Sequence, residues 1–137
     1  MNWLRWFKIK NIYIINGPNL NFLGIREITQ YGLTSYDELK NLINSEAKKL
    51  KIKTNFFQSN IEGELIDKIQ KVGFTFDGII LNAAAYTRTS VGISDAVKSV
   101  KSPVVEVHIS NTYSREEFRH KSFLSPNVKG IIQGFGL

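Results

Sequence analysis

An α/β fold built on a five-stranded parallel β-sheet flanked by helices is predicted by three features of this sequence. Five short apolar runs are nearly unbroken, as strands buried on both faces require. Between most of them lie segments with apolar residues at helical spacing, bounded by capping signals. The two kinds of segment alternate along the chain, which favours right-handed crossovers and a layer of helices on each face of the sheet. Five strands joined in this way suggest a flavodoxin-like, three-layer arrangement. At 137 residues the chain, 1–137, reads as a single domain, large enough to bury roughly two-thirds of its unfolded surface.

Residues 1–10 hold Trp3, Leu4, Trp6 and Phe7 among basic residues and read as an N-terminal extension. Their apolar part is too short for a signal-peptide core and is interrupted by Arg5 and Lys8. The first strand, Ile12 to Ile15, stops at the turn Asn16-Gly17-Pro18-Asn19. Leu20 to Tyr31 has no helical or strand period and reads as a loop hung from a rigid strand. Gly24 and Gly32 could hinge it as a lid; the alternative is an ordinary surface connection. Ser35 and Glu38 form a capping box, and Leu39, Leu42, Ile43, Ala47 and Leu50 place a helix over about 36–50. Ile52 to Gln58 is the second strand, ending in the polar cluster Gln58-Ser59-Asn60. A second helix starts at Ile61 or Glu62, buries Leu65, Ile66, Ile69 and Val72, and ends near Gly73. The third strand, Ile79 to Leu81, runs into Asn82 and three alanines. Thr87 to Ser90 offer N-caps for a third helix that buries Ile93, Ala96, Val97 and Val100. Pro103 opens a fourth strand, Val104 to Ile109. Ser114 to Glu117 reads as another capping box, starting a short helix through Phe118 and Arg119. Val128 to Gln133 is the fifth strand.

Composition removes several function classes. The absence of cysteine excludes disulfides, thiolate nucleophiles and cysteine metal sites, and nothing points away from a cytoplasmic location. No stretch is apolar enough for a membrane span. The net charge of +6 suits anions in general. Lys48, Lys49, Lys51 and Lys53, however, fall around a helix C-terminus, where the dipole already explains them, so nucleic acid is not the favoured partner. Gly134-Phe135-Gly136 is followed by no helix and carries no cofactor signal. His108 and His120 lack metal-ligand spacing, so no metal is expected.

In such sheets ligands sit beyond the carboxyl ends of the strands, where strand order reverses. The predicted strand ends carry Asn16, Asn19, Gln58 to Asn60, Asn82 and His108 to Asn111. Solvent at strand ends explains some of these, but less well a histidine flanked by buried apolar positions. Glu106 and His108 are two apart on a strand and share a face, so the carboxylate would fix the imidazole tautomer and favour its protonated form. A structural core histidine is the alternative. Tyr31 could act as a base only if its pKa fell from ~10 by ~3 units, which requires roughly 4 kcal/mol of preferential phenolate stabilisation. Arg26 on the same loop is the local residue for that work. Arg115 and Arg119, four apart, could clamp a carboxylate or hydroxyls, or simply pair with Glu116 and Glu117.

With these residues assembled, the chain resembles type II 3-dehydroquinate dehydratase, the flavodoxin-like enzyme of the shikimate and quinate pathways, from about Asn11 to Gly136. The markers are Ile15 to Leu20, Arg26-Glu27 with Tyr31-Gly32, Gln58-Ser59-Asn60 with Glu62-Gly63, Leu81-Asn82-Ala83, Thr89-Ser90-Val91 with Asp95-Ala96, Glu106 to Asn111, and Arg115 to Arg119. The resemblance implies a cofactor-independent anti elimination of water from 3-dehydroquinate, giving 3-dehydroshikimate through an enolate on the route to aromatic amino acids. It implies Tyr31 as the base, with Arg26 closing on the lid. Asn19 would help hold the water that stabilises the enolate oxygen, and His108, oriented by Glu106, would protonate the departing hydroxyl. Asn82, Ile109, Ser110 and Arg119 would bind the carboxylate and hydroxyls. Asp95 would reach a neighbouring subunit's site, in trimers assembled into dodecamers.

Four departures from the family pattern stand out. Arg88 replaces a usual substrate-binding histidine, so that contact is either remade by a longer, permanently charged side chain or lost. Ile28 replaces a usual loop proline and should leave the lid freer. Ala84 and Ala85 replace small residues that often include glycine. The sequence ends at Leu137, where relatives continue into a C-terminal helix, whose absence could expose an apolar sheet face or weaken assembly. The reading from a different class is a non-catalytic binding or assembly protein on the same scaffold.

Overall fold

A computed structural model describes residues 10–137. The N-terminal extension therefore lies outside the described residues, except Lys10, which begins the first strand. In chain order the elements are β1 (Lys10–Asn16), α1 (Ile28–Tyr31), α2 (Tyr36–Lys49), β2 (Ile52–Gln58), α3 (Glu62–Val72), β3 (Gly78–Asn82), α4 (Val91–Ser99), β4 (Val104–His108) and β5 (Gly130–Gln133). The strands form one parallel sheet in the order β2-β1-β3-β4-β5. This is the expected α/β, flavodoxin-like arrangement.

Side chains alternate across β1 and so serve two layers. Tyr13 and Ile15 join the main core with Leu65, Ile69, Leu81 and Ile93, under α3 and α4. Ile12 and Ile14 face the other way, toward Leu39, Ile43 and Ala47 of α2. An apolar groove stays open beside α2, and Leu42, Ile132 and Leu137 are 54%, 53% and 44% exposed.

The helix starts follow their caps. Ser35 Oγ accepts from Glu38 N–H at 3.2 Å while Glu38 Oε2 accepts from Ser35 N–H at 2.7 Å, completing the capping box. Asp37 and Glu38 in the first turn of α2, and Lys48 and Lys49 in the last, complement its dipole. Ser90 Oγ accepts from Ile93 N–H at 2.8 Å and starts α4.

Two expectations are corrected. Leu20 to Tyr31 is not irregular throughout, because a 3-10 turn (Leu20–Phe22) and the single-turn α1 break it up. Ser114 to Arg119 is not a capped helix but parts of two 3-10 turns, Thr112–Ser114 and Glu117–Arg119. The reason lies at Ser114, whose Oγ and N–H both donate back to the Asn111 carbonyl, so neither takes part in a capping box with Glu117. The cap is Asn111, whose Oδ1 accepts from Tyr113 N–H.

What this topology provides is a crevice. β1 connects onward to α2 on one face and β3 to α4 on the other, so their carboxyl ends, Asn16 and Asn82, part at the reversal of strand order. Gly17 turns the chain here, its N–H donating to the Asn82 carbonyl at 2.7 Å. A Cβ at Gly17 would lie 2.7 Å from the Ala83 carbonyl oxygen. Gly17→Ala is expected to destabilise the protein by about 1–3 kcal/mol through backbone displacement, measured as a lower urea midpoint at unchanged m-value.

Candidate active site

At the carboxyl ends of β1, β3 and β4 the structure holds a cavity of about 220 Å3. Asn19, Arg26, Tyr31, Asn82, Arg88, His108, Ile109, Ser110 and Arg119, all singled out from the sequence, line it. Glu106 lies behind His108, with its side chain fully buried. Asp95 is exposed on α4 and does not line the cavity. Gln58 and Asn60 are not brought to it either. The Gln58 side chain donates to the Gly17 carbonyl and Asn60 Oδ1 accepts from Asn19 N–H, so both brace the turn after β1.

The loop carrying Tyr31 is tied down by a second apolar cluster. Leu20, Leu23 and Ile109 are buried there, with Tyr31, Tyr36 and Leu39 packed against them. Gly24 and Gly32 bracket the loop, both at φ +80, a conformation that side-chain-bearing residues rarely adopt. Ile28, the first residue of α1, occupies the helix position that proline suits best.

The Tyr31 hydroxyl accepts from two guanidiniums. Arg115 Nη1 is 2.7 Å away and Arg26 Nη2 is 3.4 Å away. Arg26, the partner expected from the sequence, is thus the longer contact, and Arg115, expected as a ligand clamp or an ordinary ion-pair partner, is the shorter. The Arg115 side chain is 8% exposed against 37% for Arg26, so its charge is also less screened by water. Glu27 stands against both, 2.9 Å from Arg26 and 3.4 Å from Arg115. Arg119 lines the cavity while pairing with Glu116 at 2.7 Å.

His108 Nε2–H donates to Glu106 Oε1 at 2.7 Å, which leaves Nδ1 as the ring nitrogen available to a ligand. Ser122 Oγ donates to Oε1 at 3.2 Å and Ser125 Oγ to Oε2 at 2.8 Å. Burial by itself would raise the Glu106 pKa. The hydrogen bonds from His108 and Ser125, the His108 charge and the Ser122 hydroxyl outweigh it and hold the carboxyl below its ordinary value. Ser122 and Ser125 were not expected from the sequence. The only hint was that a buried glutamate needs several donors.

Arg88 closes the wall beside His108, at the end of the 3-10 stretch Ala84–Arg88. Burial lowers its pKa, Glu106 opposes this, and Arg119 and Arg115 add to it. No lysine lines the cavity among the described residues, and none of their acidic or histidine side chains are grouped to hold a metal ion. The arrangement offers a phenol flanked by cations, an imidazole braced by a carboxylate, and amides and arginines for an oxygen-rich anion.

Comparison with known proteins agrees with this chemistry. Residues 10–137 match the Dehydroquinase class II family. A 3-dehydroquinate dehydratase of Caldicellulosiruptor saccharolyticus is 53% identical over 130 residues, covering 94% of this chain and 90% of that protein. One from Campylobacter jejuni is 52% identical over 125 residues, covering 91% and 79%. The crystal structure of the type II dehydroquinase from Butyrivibrio crossotus superposes with a TM-score of 0.91 at 50% identity, covering 93% of this chain and 90% of that one.

Proposed function

Because the chain belongs to the class II dehydroquinase family, we propose that it is a single-domain hydro-lyase converting 3-dehydroquinate to 3-dehydroshikimate, by anti elimination through an enolate, in the biosynthesis of aromatic amino acids. The observation that carries this reading is a tyrosine hydroxyl held between two guanidiniums in the same cavity as a carboxylate-braced histidine.

Tyr31, as its phenolate, would take a proton from the carbon next to the substrate ketone, leaving the electron pair in an enolate. The Arg115 and Arg26 guanidiniums favour that phenolate at 2.7 and 3.4 Å. Collapse of the enolate expels the hydroxyl on the next carbon, and His108 would donate the proton that lets it leave as water. Glu106 fixes the histidine ring, so it acts as a positioning residue. Asn19, at the turn after β1, would help hold the water beside the enolate oxygen. Asn82, Ile109, Ser110, Arg88 and Arg119 would bind the carboxylate and hydroxyls. Asp95 would act only on the site of a neighbouring subunit, in trimers assembled into a dodecamer. We place the enzyme in the cytoplasm, and no helix among the described residues is long and apolar enough to cross a membrane.

A continuous ultraviolet assay with 3-dehydroquinate tests this directly by following the conjugated enone of the product. Turnover that survives borohydride treatment is expected, since no lysine lines the cavity to form a Schiff base. Loss of activity after borohydride would overturn the enolate route. Binding without turnover would select a non-catalytic protein on the same scaffold.

A further inference from the structure

Between α2 and the first strands of the sheet runs an apolar groove of about 430 Å3, on the side of the molecule away from α3 and α4. Its lining includes Ile12 and Ile14 of β1, Ile52 of β2, Leu42 of α2 and Leu50 just after it. Leu42 and Leu50 are 54% and 68% exposed, and contiguous apolar surface of this kind marks a contact site. Glu46 carries the one charge on the lining and pairs with Lys49 at 2.6 Å.

The chain itself supplies a segment of matching chemistry. Trp3, Leu4, Trp6, Phe7 and Ile9 precede β1, interleaved with Arg5 and Lys8, whose sign suits Glu46. β1 begins at Lys10, in register with Ile52, and Ile12 follows two residues later, so the segment is rooted at the groove. Its reach is sufficient. Nine extended residues span at most about 30 Å, whereas the 14 residues of α2 rise about 21 Å, so a chain that turns back before β1 can lie along the whole helix. Attachment to the same chain also gives the segment a high effective concentration at the groove. A lipid surface is the competing partner for tryptophan and basic residues. Recognition of anionic headgroups, however, takes clusters of roughly four to eight cations. Arg5, Lys8 and Lys10 fall short of that, and Lys10 already faces Asp77 at 3.9 Å.

We propose that residues 1–9 dock in this groove of their own subunit, with Trp3 and Trp6 among the side chains that cover α2 and the start of β1. Trp3 and Trp6 are the only tryptophans of the chain, so its tryptophan fluorescence reports on this segment alone. In the parent protein the emission is expected at shorter wavelength than in a peptide of residues 1–10, with weaker quenching by acrylamide, at every protein concentration. Leu42→Lys and Leu50→Lys each put a cation on the groove wall at an exposed position, and each should move the emission back toward that of the peptide. Stability supplies a second readout. Deleting residues 2–8 should lower Tm by about 5 °C or more. Leu42→Lys should lower Tm in the full chain but not in the shortened one, because the partner of the leucine has then been removed. Emission and quenching in the parent equal to those of the peptide would overturn the proposal. Protection that survives both leucine substitutions would overturn it by placing the segment elsewhere. Protection that fades on dilution together with subunit assembly, followed by analytical ultracentrifugation, would assign the groove to a second copy of the chain instead. A shift that appears only with phosphatidylglycerol vesicles would replace docking by membrane binding.

Discussion

Tyr31→Phe is expected to lower kcat by a factor of about 10² to 10⁴, the usual contribution of a positioned acid or base, with Tm and KM close to those of the parent. The substitution removes one oxygen and leaves the ring. That ring packs on the cluster of Leu20, Leu23 and Ile109 and lies 5.2 Å from the Arg26 guanidinium and 5.7 Å from that of Arg115, contacts that phenylalanine retains. What it loses is the hydroxyl oxygen that two guanidiniums contact, at 2.7 and 3.4 Å. The loss corresponds to roughly 3–5 kcal/mol of transition-state stabilisation. A variant with normal kcat would remove Tyr31 from the role of base. The two arginines can be ranked by the same assay. Arg115 is closer to the oxygen and less exposed, so Arg115→Met should reduce kcat more than Arg26→Met. Glu27 partly offsets both charges, so Glu27→Gln should act in the opposite direction.

That ranking shows where sequence reading reaches its limit. Arg26 and Tyr31 are five residues apart, and a loop explains their meeting. Arg115 and Tyr31 are 84 positions apart. They meet because the loop after β1 reaches past β3 to the end of β4, where Leu20 and Leu23 dock on Ile109. No local period carries that information. The Glu106 and His108 pair was legible for the opposite reason: a strand puts alternate residues on one face, so spacing alone sets the contact. The strands and the three long helices were legible from continuous apolar runs and caps. The segment between β4 and β5 was not, since 3-10 turns have no sustained hydrophobic period and their side chains bind locally. Ser122 and Ser125 lie in that segment, and so their service to Glu106 became visible only in three dimensions.

His108→Ala should match the loss expected for Tyr31→Phe, because it removes the side chain we propose as proton donor for the departing hydroxyl. Glu106→Gln separates positioning from proton transfer. Glutamine keeps the shape and can still accept from His108 Nε2–H, but it replaces one carboxylate oxygen with an N–H₂ group facing the Ser125 hydroxyl, now at 2.8 Å from Oε2. The kcat of Glu106→Gln should therefore fall less than that of His108→Ala, because the imidazole remains and keeps an acceptor at Nε2 while the carboxylate charge behind it is lost. Stability gives an independent readout with a defined sign. The folded-state pKa of Glu106 lies below its ordinary 4.5, so the folded protein binds this proton less readily than the unfolded chain does. The resulting stabilisation is fully present above about pH 4.5 and is lost as pH falls through the lower, folded value. Urea unfolding of the parent protein should thus weaken below pH 4.5. Glu106→Gln should be less stable at neutral pH and lose less stability over the same acid window. Parallel pH dependences for the two proteins would show that the carboxylate is not held as an anion by His108, Ser122 and Ser125, and the geometry behind His108 would then need another explanation.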